Sequence, residues 1–339
     1  MDAVPLVEVL RGDRVESRHA GAFVVADAAG RVVLGGGDVE APVFPRSAVK
    51  AIQALPLVET GAADRFGLTD AELALACASH SGEPVHVATA AGMLAKVGQD
   101  ASCLECGAQW PIGEGAARAL AAASGQPSAL HNNCSGKHAG FVCVACALDA
   151  HPAGYVRPEH PVMREVTAAL AAMTGAKLDA GDRATDGCSI PAYAVPLRAL
   201  ARAFARLGTG EGQAPARAAA LQRLRAAVAA HPGLVAGAGR FDTTLMEAAG
   251  ARVFVKSGAE GVHCGALPEL GLGFAVKCVD GAGRAAQVAA AALVARLLGA
   301  PGVAADLAVA TAERLAHPTL VNWNGLTVGG LRPACPLAA

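Results

Sequence analysis

Strand-forming stretches in this chain are confined to its two ends, and the long middle reads as helix almost throughout. Residues 4–10 and 14–20 form short alternating runs around Arg11-Gly12-Asp13, and Ala22–Ala26 with Val32–Leu34 reads as a hairpin across Asp27-Ala28-Ala29-Gly30. Strand character returns only at 252–256, 262–266 and 273–279, with a turn at Asp280-Gly281. Between them, Ala/Leu/Arg-rich periodicity broken by Gly and Pro predicts helices over 85–97, 114–123, 138–149, 160–174, 193–207 and 214–230, with one more at 284–298. Thr69-Asp70-Ala71-Glu72 is a capping-box signature, and Pro45 with Ser47 marks another helix start. An isolated two-stranded ribbon is marginal in water. The terminal strands are therefore expected to pair into one antiparallel sheet flanked by helices, beside a central helical lobe. The expected class is α/β in the α+β sense, one catalytic unit over 1–339, with lobes 1–50 plus 240–339 and 51–239. The groove between sheet and helices is the natural place for a pocket.

Composition narrows the classes. Hydrophobic residues make up 53% and charged residues 17% of 339, which supplies a core and argues against disorder. A net charge of −1 without a basic stripe gives nucleic acid nothing to bind. No apolar run is long enough to span a membrane, and Met1–Arg14 lacks the apolar core of a signal peptide. A soluble, cytoplasmic protein without membrane or nucleic-acid partners is expected. Gly35-Gly36-Gly37 is not a phosphate loop, because no Lys-Ser/Thr follows at the required spacing. Of ten cysteines, Cys77, Cys143, Cys146 and Cys278 stand in apolar contexts and read as reduced core residues.

Cys134 and Cys188 stand among polar residues instead. His131-Asn-Asn-Cys-Ser-Gly-Lys-His-Ala-Gly140 gathers a thiol, two imidazoles, a hydroxyl and an amine just before an apolar helix. The unpaired N–H groups of a helix start favour anions and thiolates, so an active-site or metal turn is favoured over a merely capped one. Asp186-Gly-Cys-Ser-Ile-Pro191 is a second polar turn with one cysteine. Two such thiolates could hold zinc, with His138 as a generic nitrogen donor. Cys103-x-x-Cys106 has metal spacing but no second pair, and reads as structural. Ser47-x-x-Lys50 puts a hydroxyl and an amine on one helix face, where a desolvated lysine can act as base. Alone that spacing is weak. Lys256-Ser257-Gly258 late in the chain, in the manner of the Lys-Thr-Gly box of penicillin-recognising enzymes, and Ser79 in Cys77-Ala-Ser-His-Ser-Gly82 strengthen it.

Five motifs in order, Ser47-Ala-Val-Lys50, Cys77-Ala-Ser-His-Ser-Gly-Glu83, Cys134-Ser-Gly-Lys-His-Ala-Gly140, Asp186-Gly-Cys-Ser-Ile-Pro191 and Lys256-Ser-Gly-Ala-Glu-Gly261, together resemble the class 3 (inducible, thermolabile) L-asparaginase II family across nearly the whole chain. The resemblance implies a fold akin to serine β-lactamases and glutaminases, a homodimer, and hydrolysis of L-asparagine to L-aspartate and ammonia. It implies two serine–lysine tandems, Ser47 with Lys50 and Ser79 with Lys256, and a zinc ion on Cys134, Lys137 and Cys188 that shapes the pocket rather than breaking the bond. Lysine then replaces histidine as nitrogen ligand, and His138 moves outside the ligand set. Around these, Arg46 is a candidate for the substrate carboxylate and Asp186 for its ammonium, with Asn133 and His138 lining the floor. The chain departs from the pattern at Gln109, where histidine is expected, and at Ser257, where serine replaces threonine. The rival readings are a β-lactam-active, transpeptidase-like or glutaminase-type serine hydrolase, and a non-enzymatic zinc protein built on Cys134 and Cys188.

Overall fold

A computed structural model describes residues 2–299, 306–334 and 337. It consists of two compact units: Met1–Ala48, Val195–Thr209 and Thr244–Ala339 form the first, Val49–Ala194 and Gly210–Thr243 the second. In chain order the strands are β1 (Val4–Arg11), β2 (Arg14–Asp27), β3 (Val32–Gly36), β4 (Pro42–Val43), β5 (Arg183–Thr185), β6 (Pro191–Tyr193) and β7 (Val195–Pro196). They continue as β8 (Phe254–Ser257), β9 (Val262–Leu267), β10 (Leu272–Cys278), β11 (Thr319–Val321) and β12 (Thr327–Pro333).

The first unit is built on a sheet of eight strands, all paired antiparallel, in the order β11-β12-β1-β2-β10-β9-β8, with β3 also on β2. N-terminal and C-terminal strands therefore share one ladder, giving the mixed α/β class. Two runs expected to be separate, 14–20 and 22–26, form the single strand β2. Gly21 reads as a break between them, but a Cβ there would lie 2.0 Å from Lys277 O. The bare α-carbon lets β10 pass close and β2 continue. The hairpin β11–β12 carries no alternating pattern strong enough to read, because Gly329 and Gly330 dilute β12.

Every residue of β9 is buried, so both faces of the sheet are covered there. Helices Leu197–Thr209 and Gly283–Leu298 both pack against β9 and β10. The first starts later than the expected 193, since Pro191–Tyr193 and Val195–Pro196 are extended. It meets β10 at Gly273, where a Cβ would come within 2.2 Å of Ala205 N and 2.3 Å of Ala201 O. Gly273→Ala is expected to destabilise the protein by about 1–3 kcal/mol through overpacking. An unchanged urea midpoint would show that the helix has room to withdraw.

The second unit is helical. Thr69 and Glu72 form the predicted capping box at the head of the helix Asp70–Ala76. The helix Ser135–Ala147 is buried along nearly all its length and begins three residues before the expected 138. Asn132 explains the early start: its Oδ1 accepts the Cys134 N–H at 2.9 Å and its backbone O accepts that of Ser135 at 2.8 Å. Gly136 brings the helix against Asp70–Ala76, since a Cβ there would lie 2.4 Å from Leu75 O. Among the described residues, no helix is long and apolar enough to cross a membrane.

Candidate active site

In the second unit, three polar loops converge on the start of the helix Ser135–Ala147. Lys50 is 1% exposed. Its Nζ donates to Ala78 O at 2.5 Å and Asn133 O at 3.4 Å. Burial holds this amine below its ordinary pKa of 10.5 and the charge of Lys137 adds to that, while Cys134 and Cys188 oppose it. Lys137, one turn into the helix, is 3% exposed and donates to Cys188 Sγ at 3.0 Å. Burial works against its charge too, but the sulfurs of Cys188 and Cys134 outweigh it and hold the ammonium proton more tightly than usual.

The two thiols divide the work. Cys134 accepts a hydrogen bond from Cys188 and faces the charges of Lys50 and Lys137, which hold its pKa well below 9.0 against the pull of burial. Cys188 is pushed up, because it donates a hydrogen bond to Cys134 and is itself buried. In its thiol form Cys134 can instead donate to Asn133 Oδ1, 3.1 Å away. Cys188 arrives on the loop between β5 and β6, fixed by its own N–H to Asp186 Oδ1 at 3.2 Å. Asp186 adds negative charge beside Lys137.

Two sulfurs and one amine thus form one buried, mutually bonded set, a donor chemistry that suits zinc once Lys137 gives up its proton to become a neutral amine. Among the described residues no group of three or more His, Cys, Asp or Glu could hold a metal ion, so a site here needs Lys137 as third ligand. His138 stands apart from that set. It is wholly buried, its Nδ1 sharing a 2.6 Å hydrogen bond with Tyr155 Oη, which also accepts the Glu105 N–H at 2.8 Å. Burial, with the charges of Lys137 and Lys50, drives its imidazole neutral.

The loop after Asp70–Ala76 carries Ser79, with its backbone pinned at each step. Ser79 N–H goes to Val235 O at 2.9 Å, and Ser79 O accepts from Arg240 Nη1 at 2.7 Å. His80 N–H goes to Asn133 O at 3.2 Å. His80 Nδ1 accepts the Gly82 N–H, so its Nε2–H faces Ser135 Oγ at 2.9 Å, and Ser135 passes its own proton to Leu130 O. Gln109 Oε1 lies 3.3 Å from both the N and Nδ2 of Asn133. The departure at Gln109 therefore does reach a candidate substrate residue.

In the first unit, Arg46 and Ser47 lie on the 3-10 turn Arg46–Val49, and Arg46 has a φ of 51°. A non-glycine residue in this left-handed region is strained and marks an over-determined turn. Ser189 and Glu260, inside two other motifs, share that conformation at 77° and 57°. Lys256 is fully buried near the end of β8, its Nζ donating to Ser257 O at 2.9 Å. Two residues on, a Cβ on Gly258 would lie 2.6 Å from Pro45 O and 3.3 Å from Ala48 Cβ. The end of the lysine strand and the serine turn are in contact.

The structure thus assembles Lys50, Asn133, Cys134, Lys137 and Cys188 in one unit, and seats the lysine box on the Ser47 turn in the other. Sequence reading gave no role to His80, Tyr155 or Arg240. His80 lies inside a quoted motif, whereas Arg240 acts through backbone carbonyls and leaves no side-chain pattern.

Desolvated, mutually paired ionisable groups with shifted pKa values are the make-up of a candidate functional site. Residues 7–333 match the family described as L-asparaginase II, and the chain belongs to that family. No curated protein sequence matches it. A solved structure titled "Crystal structure of Mglu in its native form in the presence of 4.3M NaCl" is similar at 16% identity and a TM-score of 0.33, over 79% of this chain. The chain spans 59% of that protein's length, and so slight a likeness carries no argument.

Proposed function

We propose that the protein is an amidohydrolase that converts L-asparagine to L-aspartate and ammonia through a serine acyl-enzyme. What carries this reading is a buried amine of lowered pKa, Lys50, three residues after Ser47 in a chain of the L-asparaginase II family. Ser47 Oγ attacks the side-chain amide carbon, and Lys50 takes the hydroxyl proton and passes it to the departing ammonia. Water then adds to the aspartyl ester, gives its proton to Lys50, and the C–O bond breaks as Ser47 recovers its hydrogen. Ser79 and Lys256 act as the second tandem and relay protons. Backbone N–H groups near Ser47 stabilise the oxyanion. Asn133 and His138 line the floor, and Asp186 complements the substrate ammonium.

Cys134, Lys137 and Cys188 are the residues that would hold zinc, and the ion would supply a fixed positive charge that shapes substrate affinity. Serine on the first helical turn and lysine on a late strand is the order of the serine β-lactamase-like enzymes, the fold type proposed here, working as a cytoplasmic homodimer. The deciding measurement is ammonia release from L-asparagine, L-glutamine and D-asparagine, with and without added zinc. L-asparagine should be the preferred substrate. Absence of ammonia from L-asparagine would sink the reading.

A further inference from the structure

Arg240 sits on the loop that closes over Ser79. Its Nη1 is committed to two neutral carbonyls, Ser79 O at 2.7 Å and Ala236 O at 3.3 Å. The two loops are locked together around it. Ser81 Oγ donates to Ala236 O at 2.8 Å, and the Ala238 N–H goes to Glu83 Oε1 at 3.1 Å. Gly237, at a φ of 126°, has no room for a side chain, since a Cβ would meet Ser81 Oγ at 2.2 Å. The guanidinium is therefore held by one nitrogen on a rigid support beside a candidate catalytic serine.

Its other two nitrogens, Nε and Nη2, bond no group among the described residues, and neither is a buried orphan. Among those residues no carboxylate pairs with Arg240, so its charge is not neutralised locally. Lys137 differs, because its charge is matched by sulfur. Nε and Nη2 together form the side-on edge of the arginine fork, which accepts a carboxylate through two parallel N–H···O bonds. A pinned Nη1 with a free Nε/Nη2 edge is a preorganised anion receptor of unit charge.

We propose that Arg240 is a specificity-determining residue that binds the α-carboxylate of the substrate beside Ser79. This deepens the amidohydrolase reading and rests on it. The sequence draws attention to Arg46 for this role; Arg240 supplies a guanidinium on the loop bonded to Ser79. The sign of its charge favours an amino-acid carboxylate and disfavours an ammonium group in the same place.

Kinetics on two amides test the assignment. One is L-asparagine; the other is 3-aminopropanamide, which is asparagine without its carboxylate. Arg240→Gln is expected to raise KM for L-asparagine about 10- to 100-fold, the span of one charge-assisted pair. Because such binding is uniform, kcat should change by less than about threefold. On 3-aminopropanamide kcat/KM should not change. Arg240→Lys, with charge but no fork, should recover part of the loss. Equal losses on both amides would mean that Arg240 only props the Ser79 loop, and no loss on either would leave the fork idle; each overturns the assignment. Calorimetry separates this from the fate of the amidohydrolase reading. If no ammonia is released but Arg240→Gln still lowers L-aspartate affinity and spares β-alanine, the hydrolase reading fails and the receptor stands. Unchanged L-aspartate affinity overturns the receptor.

Discussion

Ser47→Ala is expected to abolish ammonia release from L-asparagine, by a factor on the order of 10⁴ or more, the scale seen when a nucleophile acting with its base is removed. The fold should not notice. Ser47 is half-buried on a turn held by Ala48 N–H to Pro45 O at 3.1 Å and by the close approach of Gly258. Its hydroxyl has no hydrogen-bond partner among the described residues, so truncation orphans nothing. The expected stability change is within about 0.5 kcal/mol. Activity within about tenfold of native, on a scale where that is only about 1.4 kcal/mol of barrier, would remove Ser47 from the mechanism. Thermal melting alongside separates that outcome from unfolding.

Cys188 should control metal content. In Cys188→Ala the proposed zinc set loses a sulfur, and Lys137 loses the acceptor at 3.0 Å while staying buried. A buried donor left without its acceptor costs about 1–3 kcal/mol, so this variant should be both metal-poor and less stable. Cys188→Ser separates the effects, because a hydroxyl still accepts from Lys137 but is a poor ligand for zinc. It should melt near the native temperature and copurify with little zinc. Full zinc occupancy in Cys188→Ser would take Cys188 out of the ligand set.

Much of the fold was legible because its signals are local. Thr69 and Glu72 announce their capping box, and the strand runs near both termini announce a shared sheet. Failures came where a glycine or proline has a long-range role. Gly21 looks like a break and is a crossing point for β10. Pro196 ends a strand and starts a helix whose apolar stripe lies against the sheet, so Leu197–Thr209 belongs to the first unit despite its neighbours in sequence. At the site, Cys134 and Cys188 were visible because each stands in a polar turn, and Lys137 through the family resemblance of its motif. The partners of Lys50 were not, because Ala78 O and Asn133 O are backbone atoms any residue would supply. Nor was the strain at Arg46, Ser189 and Glu260, since none is a residue that advertises a left-handed turn.

The strand order has a consequence for biosynthesis. β2 is the central strand next to both β1 and β10, yet Leu272–Cys278 emerges from the ribosome roughly 250 residues after Asp27. At about 5–20 residues per second that is a wait on the order of 10–50 s. Throughout it the apolar stretch Phe23-Val24-Val25-Ala26, fully buried in the finished protein, has an unfilled edge. Nascent chains stalled before residue 272 should therefore aggregate or recruit chaperones, whereas the uninterrupted stretch Val49–Ala194 of the second unit is complete long before then.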